Sequence, residues 1–189
     1  SGRTNHAVPV AKSLNLPEKE LFFDPYLLGL WLGDGHTADG KITTADQEVL
    51  DSFEQDGFSY KHCERYDYRI CGLRSVLRTE GVLHNKHIPM RYRRASSSQR
   101  LALLQGLMDS DGYCNRNGQV SFTNTNKILA EHALELILSL GYKASICEDR
   151  ATLYGKDCGP CFTIKWMATD PVFRLGRKLA RQKTKNNLK

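Results

Sequence analysis

Leu27-Leu28-Gly29-Leu30-Trp31-Leu32-Gly33-Asp34-Gly35 is a nine-residue pattern that returns later in the chain as Leu104-Gln105-Gly106-Leu107-Met108-Asp109-Ser110-Asp111-Gly112. Each copy predicts an apolar helix that ends on an aspartate, followed by a glycine, which tolerates the left-handed backbone common at helix ends. An aspartate in the last turn faces the negative end of the helix dipole, which is unfavourable unless a cation sits there. Two such ends side by side would offer hard oxygen ligands to a divalent metal.

Small residues four positions apart lie on one face of each predicted helix: Gly29 and Gly33 in the first, and Gly106 and Ser110 in the second. Such residues let two helix backbones approach closely. One isolated copy would be interpreted as an ordinary core helix. Two copies favour a pair of helices packed against each other.

The duplication extends beyond the helices, at a period near 77 residues that is typical of a duplicated domain. Lys86 follows Asp34 by 52 residues, and Lys165 follows Asp111 by 54. The matched spacing predicts one functional lysine in each half.

These residues resemble the LAGLIDADG homing endonucleases, and most closely the endonuclease domains found inside inteins. The resemblance runs from Asp24–Gly35 through Asn85-Lys86-His-Ile-Pro89 and the second motif to Asp170-Pro-Val-Phe173. The sequence departs from the family pattern at Leu32, where an acid is expected, and at Gln105. The last aspartate is intact in both copies.

The resemblance implies a site-specific endonuclease that uses Mg²⁺ or Mn²⁺ to hydrolyse one phosphodiester in each DNA strand. The expected metal ligands are the carboxylates of Asp34 and Asp111 and the backbone carbonyls of Gly33 and Ser110. Lys86 and Lys165 are expected to stabilise developing charge or to assist proton transfer. The expected partner is double-stranded DNA with a long asymmetric target, bound by a monomer because one chain contains both halves. The resemblance also implies that the endonuclease is carried in a larger intein precursor.

The order of elements predicts an α+β fold of two pseudosymmetric αββαββα halves, with antiparallel sheets whose helices cover one face. We predict a lead-in over 1–23, a first half over 24–95 and a second half over 96–189. The predicted helices span 24–34, 46–56, 74–82, 97–111, 126–140 and 170–183. The predicted strands lie near 36–45, 58–64, 66–73, 113–123, 142–153 and 161–168. By resemblance, the two motif helices form the central interface and the free sheet faces form a DNA-binding saddle.

Polar and basic side chains on the predicted strands and on the connection between the halves suit contacts with bases and phosphates. An antiparallel face that merely meets water would also be polar. The candidate DNA-binding residues are Thr43, Thr44, Lys61, Arg65, Arg69, Arg91, Arg93, Arg94, Ser121, Thr123, Asn124 and Lys143.

Composition and charge agree with a nucleic-acid partner. The chain has 27 Lys and Arg against 21 Asp and Glu, a net charge of +6, and a pI near 9.0, which favours polyanions. It has no apolar run long enough for a membrane span and no signal-peptide core, so we expect an intracellular protein of the cytoplasm or nucleus.

The sequence leaves three alternative functions open. The duplicated domain could have lost cleavage and act as a DNA-binding module or as an RNA-splicing maturase. Cys158-Gly-Pro-Cys161 spells the thioredoxin active site, but that chemistry needs a helix after the first Cys. The following residues predict a strand, so we interpret Gly159-Pro160 as the turn of a hairpin. A zinc site is poorly supported because no second Cys pair has a matching spacing.

Overall fold

A computed structural model of the chain describes residues 11–182. Its elements, in chain order, are α1 (Pro25–Asp34), β1 (Lys41–Thr43), α2 (Gln47–Gln55), β2 (Tyr60–Glu64), β3 (Asp67–Ile70), α3 (Leu73–Thr79), α4 (Met90–Arg93), α5 (Ser97–Asp111), β4 (Gly112–Cys114), β5 (Gln119–Asn124), α6 (Lys127–Ser139), β6 (Ala144–Leu153), β7 (Lys156–Met167) and α7 (Gly176–Leu179).

The two motif helices are α1 and α5, and each begins at a side-chain cap. The Asp24 carboxylate accepts a hydrogen bond from the Leu27 amide at 3.0 Å, and Pro25 occupies the first helical turn, where its missing N–H costs nothing. Ser96 and Gln99 cap α5 reciprocally, as in a capping box. The caps fix where the helices start, and both helices end on their motif aspartates.

Helices α1 and α5 pack backbone to backbone, which confirms the interface expected from their small residues. A Cβ atom added to Gly29 would lie 2.3 Å from the Leu103 carbonyl oxygen, and one added to Gly106 would lie 2.1 Å from that of Tyr26. No side chain fits at these two points. The close crossing brings the C-terminal ends of both helices together.

The strands form two antiparallel sheets, in the orders β1-β3-β2 and β4-β5-β7-β6. Each sheet has a buried face: Ile42 and Ile70 are buried in the first sheet, and Val120, Phe122 and Ile164 in the second. The buried residues of both sheets and of α1 and α5 belong to one hydrophobic core. The other face of each sheet carries polar residues, as an alternating pattern predicts.

The α+β class and the central helix pair are confirmed, and three details of the prediction are wrong. The predicted strand pair over 36–45 reduces to β1 and one isolated bridge between Gly35 and Ile42. Within the described residues, the helix expected over 170–183 is reduced to α7, because Pro171 disfavours helix before it and the amides of Arg174 and Leu175 donate to the buried Asp109 carboxylate. The hairpin turn lies at Tyr154-Gly155, while Gly159-Pro160 is inside β7.

Cys158 and Cys161 both lie on β7, so the first of them does not begin a helix as the thioredoxin motif requires. Between residues 11 and 182, none of the helices is both long and apolar enough to cross a membrane. The division into halves at residue 95 stays a prediction, and residues 1–10 and 183–189 of the predicted domains lie outside the described residues.

Candidate functional site

Asp34 and Asp111 are the last residues of α1 and α5. Their carboxyl groups lie close enough for the negative charge of Asp111 to act on Asp34. Burial, and then the charge of Asp111, raises the pKa of the Asp34 carboxyl from 3.8 to about 6. Burial also raises the pKa of Asp111, partly offset by Lys86. Gly35 and Gly112 follow in an extended conformation, with φ of −77° and −80°. The expected left-handed helix stop is therefore wrong. A Cβ at either glycine would lie 2.4 Å from the carbonyl oxygen four residues earlier.

Lys86 lies at the C-terminal end of α1. Its ammonium donates to the carbonyl oxygens of Gly33 at 3.0 Å and Gly35 at 2.6 Å, and it lies 5.1 Å from the centre of the Trp31 ring. A cation at this position is favoured by the helix dipole. The structure thus brings Lys86 to the aspartate pair, as the sequence predicts.

Lys178 makes the matching contacts in the second half. Its ammonium donates to the carbonyl oxygens of Met108 at 2.9 Å, Ser110 at 2.9 Å and Gly112 at 3.0 Å. Ser110 and Gly112 correspond in the repeat to the two acceptors of Lys86. Lys178 is therefore the structural counterpart of Lys86.

The sequence predicted Lys165 as the counterpart of Lys86, but the structure does not place Lys165 at the end of α5. Lys165 lies near the C-terminal end of β7, exposed on the polar sheet face and in register with Ser121 and Ser145. The charges that act on Asp111 are those of Lys86 and Lys178. The near-equal spacing of 52 and 54 residues after the two aspartates therefore does not correspond to equivalent positions in the structure.

Burial alters both site lysines. It lowers the pKa of Lys86 from 10.5 to about 8, against the opposing effect of Asp111 and Asp34. Burial, and then Arg177, lowers the pKa of Lys178. A lysine with a pKa near neutrality can exchange a proton during a reaction as well as carry charge.

A polar cavity of about 350 Å³ opens beside Lys86 and Gly33, lined also by His84, Asn124 and Asn126. The Asn124 amide donates to the Asp111 carboxylate at 3.2 Å. The sequence assigned Asn124 to DNA binding, whereas the structure brings it to the aspartate pair. It holds one carboxylate oxygen and leaves the other oxygen without that bond.

The donors at the helix ends suit a hard divalent cation, since they are carboxylate and carbonyl oxygens. The carboxylates of Asp34 and Asp111 carry like charges and are partly removed from water. A bound cation would reduce the repulsion between these two charges. The Gly33 and Ser110 carbonyls accept from lysines, and a carbonyl oxygen has a second lone pair. Within the described residues, no group of three or more His, Cys, Asp or Glu could hold a metal. A cation here would need further oxygen ligands from elsewhere.

A basic row crosses the polar face of the first sheet. Lys41, Arg69 and Lys61 are directly opposite one another on β1, β3 and β2. Arg69 and Lys61 were predicted to contact DNA. Lys41 was not predicted, and only the strand pairing shows that it lies in the same row. Thr43 is exposed on the same face, where its hydroxyl donates to Asp67 at 2.6 Å.

The second sheet carries a longer and more neutral face. Ser121, Lys165 and Ser145 form one cross-strand row, and Thr123 and Thr163 lie in the next, with their hydroxyls 2.9 Å apart. Ser121 and Thr123 were predicted on this surface, and the structure puts both there. These two rows therefore offer hydroxyl groups and one ammonium.

Other predicted DNA-binding residues have different surroundings. Thr44 is buried, and its hydroxyl accepts from the Asp46 amide. The guanidinium of Arg91 pairs with the buried Glu80, and those of Arg93 and Arg94 both pair with Glu135. These three arginines lie off the sheets and have intramolecular partners. Arg65 is exposed in the β2–β3 turn, and Lys143 is exposed before β6.

Sequence reasoning missed Lys178 and gave Asp109 no role. Asp109 is 2% exposed and accepts hydrogen bonds from the Tyr26 hydroxyl and from the amides of Arg174 and Leu175. It is the other acidic position of the repeat, which Leu32 fills in the first copy. The sequence did contain an indication of this role, because an acidic residue is unusual inside a helix that is otherwise buried.

Comparison with known proteins gives a family match over part of the chain and a shared fold. Residues 98–159 match the family model described as a LAGLIDADG-like domain. A solved structure of an I-DmoI variant, in complex with its target DNA and in the presence of manganese, aligns with a TM-score of 0.50. The alignment covers 76% of this chain and 85% of that chain at 18% identity. At this identity the likeness shows a shared fold.

Two curated relatives are helicases. The replicative DNA helicase DnaB of Mycobacterium intracellulare is 40% identical over 176 residues, which cover 93% of this chain and 29% of the helicase. The ATP-dependent DNA helicase Hel308 of Thermococcus kodakarensis is 30% identical over 166 residues, covering 74% of this chain and 15% of the helicase. The chain thus spans less than a third of the length of the helicases that it matches.

Proposed function

We propose that this chain is a LAGLIDADG endonuclease that hydrolyses one phosphodiester in each strand of duplex DNA, since residues 98–159 match the model of a LAGLIDADG-like domain and the fold is shared with a homing endonuclease. The observation that carries the proposal is the meeting of Asp34 and Asp111 at the ends of two packed helices, with one lysine ammonium on each end. Each half contributes one aspartate and one lysine. That arrangement suits two cuts, one in each strand.

The proposed cofactor is Mg²⁺ or Mn²⁺. Asp34 and Asp111 would hold it, with the Gly33 and Ser110 carbonyls on the same helix ends and phosphate oxygens of the DNA as further ligands. When bound, the cation supplies Lewis-acid stabilisation of the charge that develops on the scissile phosphate. The presence of manganese with the fold neighbour supports this proposal.

Lys86 and Lys178 are the proposed catalytic lysines, one for each scissile phosphate. Their ammonium groups are fixed by backbone carbonyls, so little reorganisation is needed when negative charge develops beside them. With a pKa of about 8, Lys86 is mostly protonated at pH 7 and can release a proton to a leaving oxygen.

The polar faces of the two sheets are the proposed DNA-binding surface, forming the saddle expected from the family. The basic row Lys41, Arg69 and Lys61 suits phosphate contacts, which supply affinity. The row that contains Ser121, Lys165 and Ser145 suits contacts with base edges as well, which supply specificity. Because the two faces differ, the target would be long and asymmetric.

The chain is proposed to be a unit within a longer host polypeptide, as an endonuclease domain is within an intein. The support is its 40% identity to a segment that makes up 29% of a DnaB helicase. The uninterrupted helicase gene, across the point where this segment would be inserted, is therefore the first candidate target.

A plasmid cleavage assay tests the proposal. A supercoiled plasmid that carries the uninterrupted helicase-gene junction is incubated with the protein in Mg²⁺, and in parallel with EDTA. We expect linear product in Mg²⁺ and none with EDTA.

Asp111→Asn should bind the same DNA, because binding rests on many phosphate contacts, and should leave it uncut. Cleavage by Asp111→Asn at the parent rate would contradict the site. Binding without cleavage by the parent protein would favour a DNA-binding module, and splicing of a host transcript would favour a maturase.

A further inference from the structure

Asp109 is a buried carboxylate that the proposed chemistry does not use. Its Oδ2 atom accepts from the Tyr26 hydroxyl at 2.9 Å, from the Arg174 amide at 2.9 Å and from the Leu175 amide at 3.2 Å. Tyr26 belongs to α1 and the two amides precede α7. One side chain of α5 therefore ties together α1, α5 and the C-terminal segment. Leu32 occupies the corresponding position of the first motif, so the first half has no such anchor.

The segment that Asp109 anchors carries Lys178. α7 begins at Gly176, directly after the two bound amides, and its third residue is Lys178. The ammonium of Lys178 returns to the end of α5, where it donates to three carbonyl oxygens. The segment is thus fastened to α5 at both ends, by Asp109 at its start and by Lys178 at its finish.

Further contacts hold the same segment from outside. The Arg174 guanidinium stacks over the Tyr26 ring at 4.1 Å and donates to the Gln105 side chain at 2.8 Å. The Arg177 guanidinium makes two hydrogen bonds to Asp46, of 2.7 and 2.6 Å. These arginines are exposed, so water competes with their bonds. Asp109 provides the buried anchor.

Lys86 reaches its helix end by a separate route. Its backbone carbonyl accepts from the Asn126 side chain at 2.8 Å, and Ile88 beside it is buried in the core. None of these contacts involves Asp109. The positions of the two lysines are therefore set independently.

We propose that Asp109 is a positioning residue that sets Lys178, so that it governs the cleavage of one DNA strand and not of the other. The inference rests on the proposed endonuclease function. Loss of Asp109 should convert the protein into a nicking enzyme, because Lys178 loses its placement, whereas Lys86 is placed by contacts that do not involve Asp109 and the backbone packing at Gly29 and Gly106 still holds α1 against α5 when the Tyr26 bond is lost. A displacement of about 1 Å at a catalytic group can cost about a hundredfold in rate.

Asp109→Asn is the decisive variant, because asparagine keeps the shape of the side chain. It has one acceptor oxygen where the carboxylate has two, and its NH₂ group would point donors at the amides of Arg174 or Leu175. A matched control is Glu80→Gln, which makes the same chemical change at a buried carboxylate that pairs with Arg91. Both variants lose a buried charge, but only the first is connected to Lys178.

The experiment measures single-turnover cleavage of each strand separately, on a duplex labelled at both 5′ ends with different dyes. The variants are Asp109→Asn, Lys178→Ala, their combination, and Glu80→Gln. We expect Asp109→Asn and Lys178→Ala to slow the same strand, by tenfold or more relative to the other strand, with DNA affinity nearly unchanged. The double variant should cut that strand about as fast as Lys178→Ala alone, because both changes act through one group. Glu80→Gln should leave the ratio of the strand rates at its parent value.

Equal slowing of both strands by folded Asp109→Asn, or losses that add fully in the double variant, would overturn the inference while leaving the endonuclease intact. If Asp109→Asn does not fold, Tyr26→Phe decides, since it removes only one donor to the same carboxylate. It should shift the strand ratio in the same direction by a smaller factor, and an unshifted ratio overturns the inference. If the parent protein cuts neither strand, the proposed function fails, and the inference fails with it.

Discussion

Asp34 is a carboxyl group whose surroundings work against its ionised form. Its pKa rises from 3.8 to about 6 because it is partly buried and lies near Asp111. An acid whose pKa is raised on folding binds its proton more tightly in the folded state than in the unfolded state. The ionised carboxylate therefore costs stability above about pH 6, and this cost disappears as the pH falls toward 4. A shift of this size corresponds to about 3 kcal/mol at most.

Asp34→Asn is accordingly expected to raise the free energy of unfolding of the metal-free protein at pH 7.5. The gain should shrink as the pH is lowered from 6 to 4, because the wild-type carboxyl then becomes protonated. Thermal melts in EDTA across this pH range measure the effect. Mg²⁺ should raise the Tm of the wild-type protein more than that of Asp34→Asn, since the cation relieves the same charge. A variant that is less stable than the parent at pH 7.5 in EDTA would contradict this account.

Substitutions of three lysines distinguish a role in the chemical step from a role in DNA contact. Lys86→Ala and Lys178→Ala are each expected to slow single-turnover cleavage on the order of a hundredfold, because a fixed charge-stabilising group is lost. Lys165→Ala should leave that rate almost unchanged. It should instead weaken DNA binding and reduce the slope of log K against log salt by about one. Rates at saturating protein, and affinities at several salt concentrations, distinguish the two classes. A large loss of rate in Lys165→Ala with normal cleavage by Lys178→Ala would restore the equivalence of Lys86 and Lys165.

At the scale of elements, the crossing of α1 and α5 holds the two aspartates together. Gly106 lies where the helices touch, and a Cβ there would meet the Tyr26 carbonyl oxygen at 2.1 Å and the Leu30 amide at 2.8 Å. Both atoms are backbone, so a side-chain rotation cannot make room. In a helix, alanine is otherwise more favourable than glycine by roughly 0.5–1 kcal/mol.

Gly106→Ala should nevertheless destabilise the protein, because overpacking costs roughly 1–3 kcal/mol or more and exceeds the gain in helix propensity. Cleavage should fall as well, since the two helix ends would move apart. Denaturant unfolding and the plasmid assay measure the two effects. Ser98→Ala, at an exposed position of the same helix, serves as the control and should change stability by a few tenths of a kcal/mol. A stabilised Gly106→Ala variant would show that the helices do not cross this closely.

At the scale of the whole molecule, the two halves share one hydrophobic core and one site. Each half brings an aspartate and a lysine, so one chain holds every side chain that the proposed site needs. We expect one protein per DNA duplex. A symmetric dimer would make its two half-sites identical, whereas the two polar sheet faces here differ. Sedimentation of the protein with labelled target DNA measures the stoichiometry, and an obligatory complex of two chains per duplex would contradict the expectation.

The sequence by itself determined the features that are encoded locally. An apolar run that ends in Asp-Gly specifies where a helix stops, so both aspartates and the paired small residues of α1 and α5 could be identified from the repeat. Alternating polar and apolar residues specified which side of each strand is buried. Thus Lys61, Arg69, Ser121 and Thr123 could be assigned to exposed or polar strand positions from the sequence pattern, while their contact with DNA stays a prediction.

Only the tertiary structure decided which distant residues complete the site. Strands β6 and β7 have 10 and 12 residues, against 5 and 4 in β2 and β3, so the second half is longer. Lys178 consequently follows Asp111 by 67 residues instead of 52, and a search for equal spacing finds Lys165. Arg91 and Arg93 look like free cations in the sequence, yet their carboxylate partners lie 11 and 42 residues away. Ion pairs and lysine contacts depend on distances in space, and the length of a hairpin changes those without changing any local pattern.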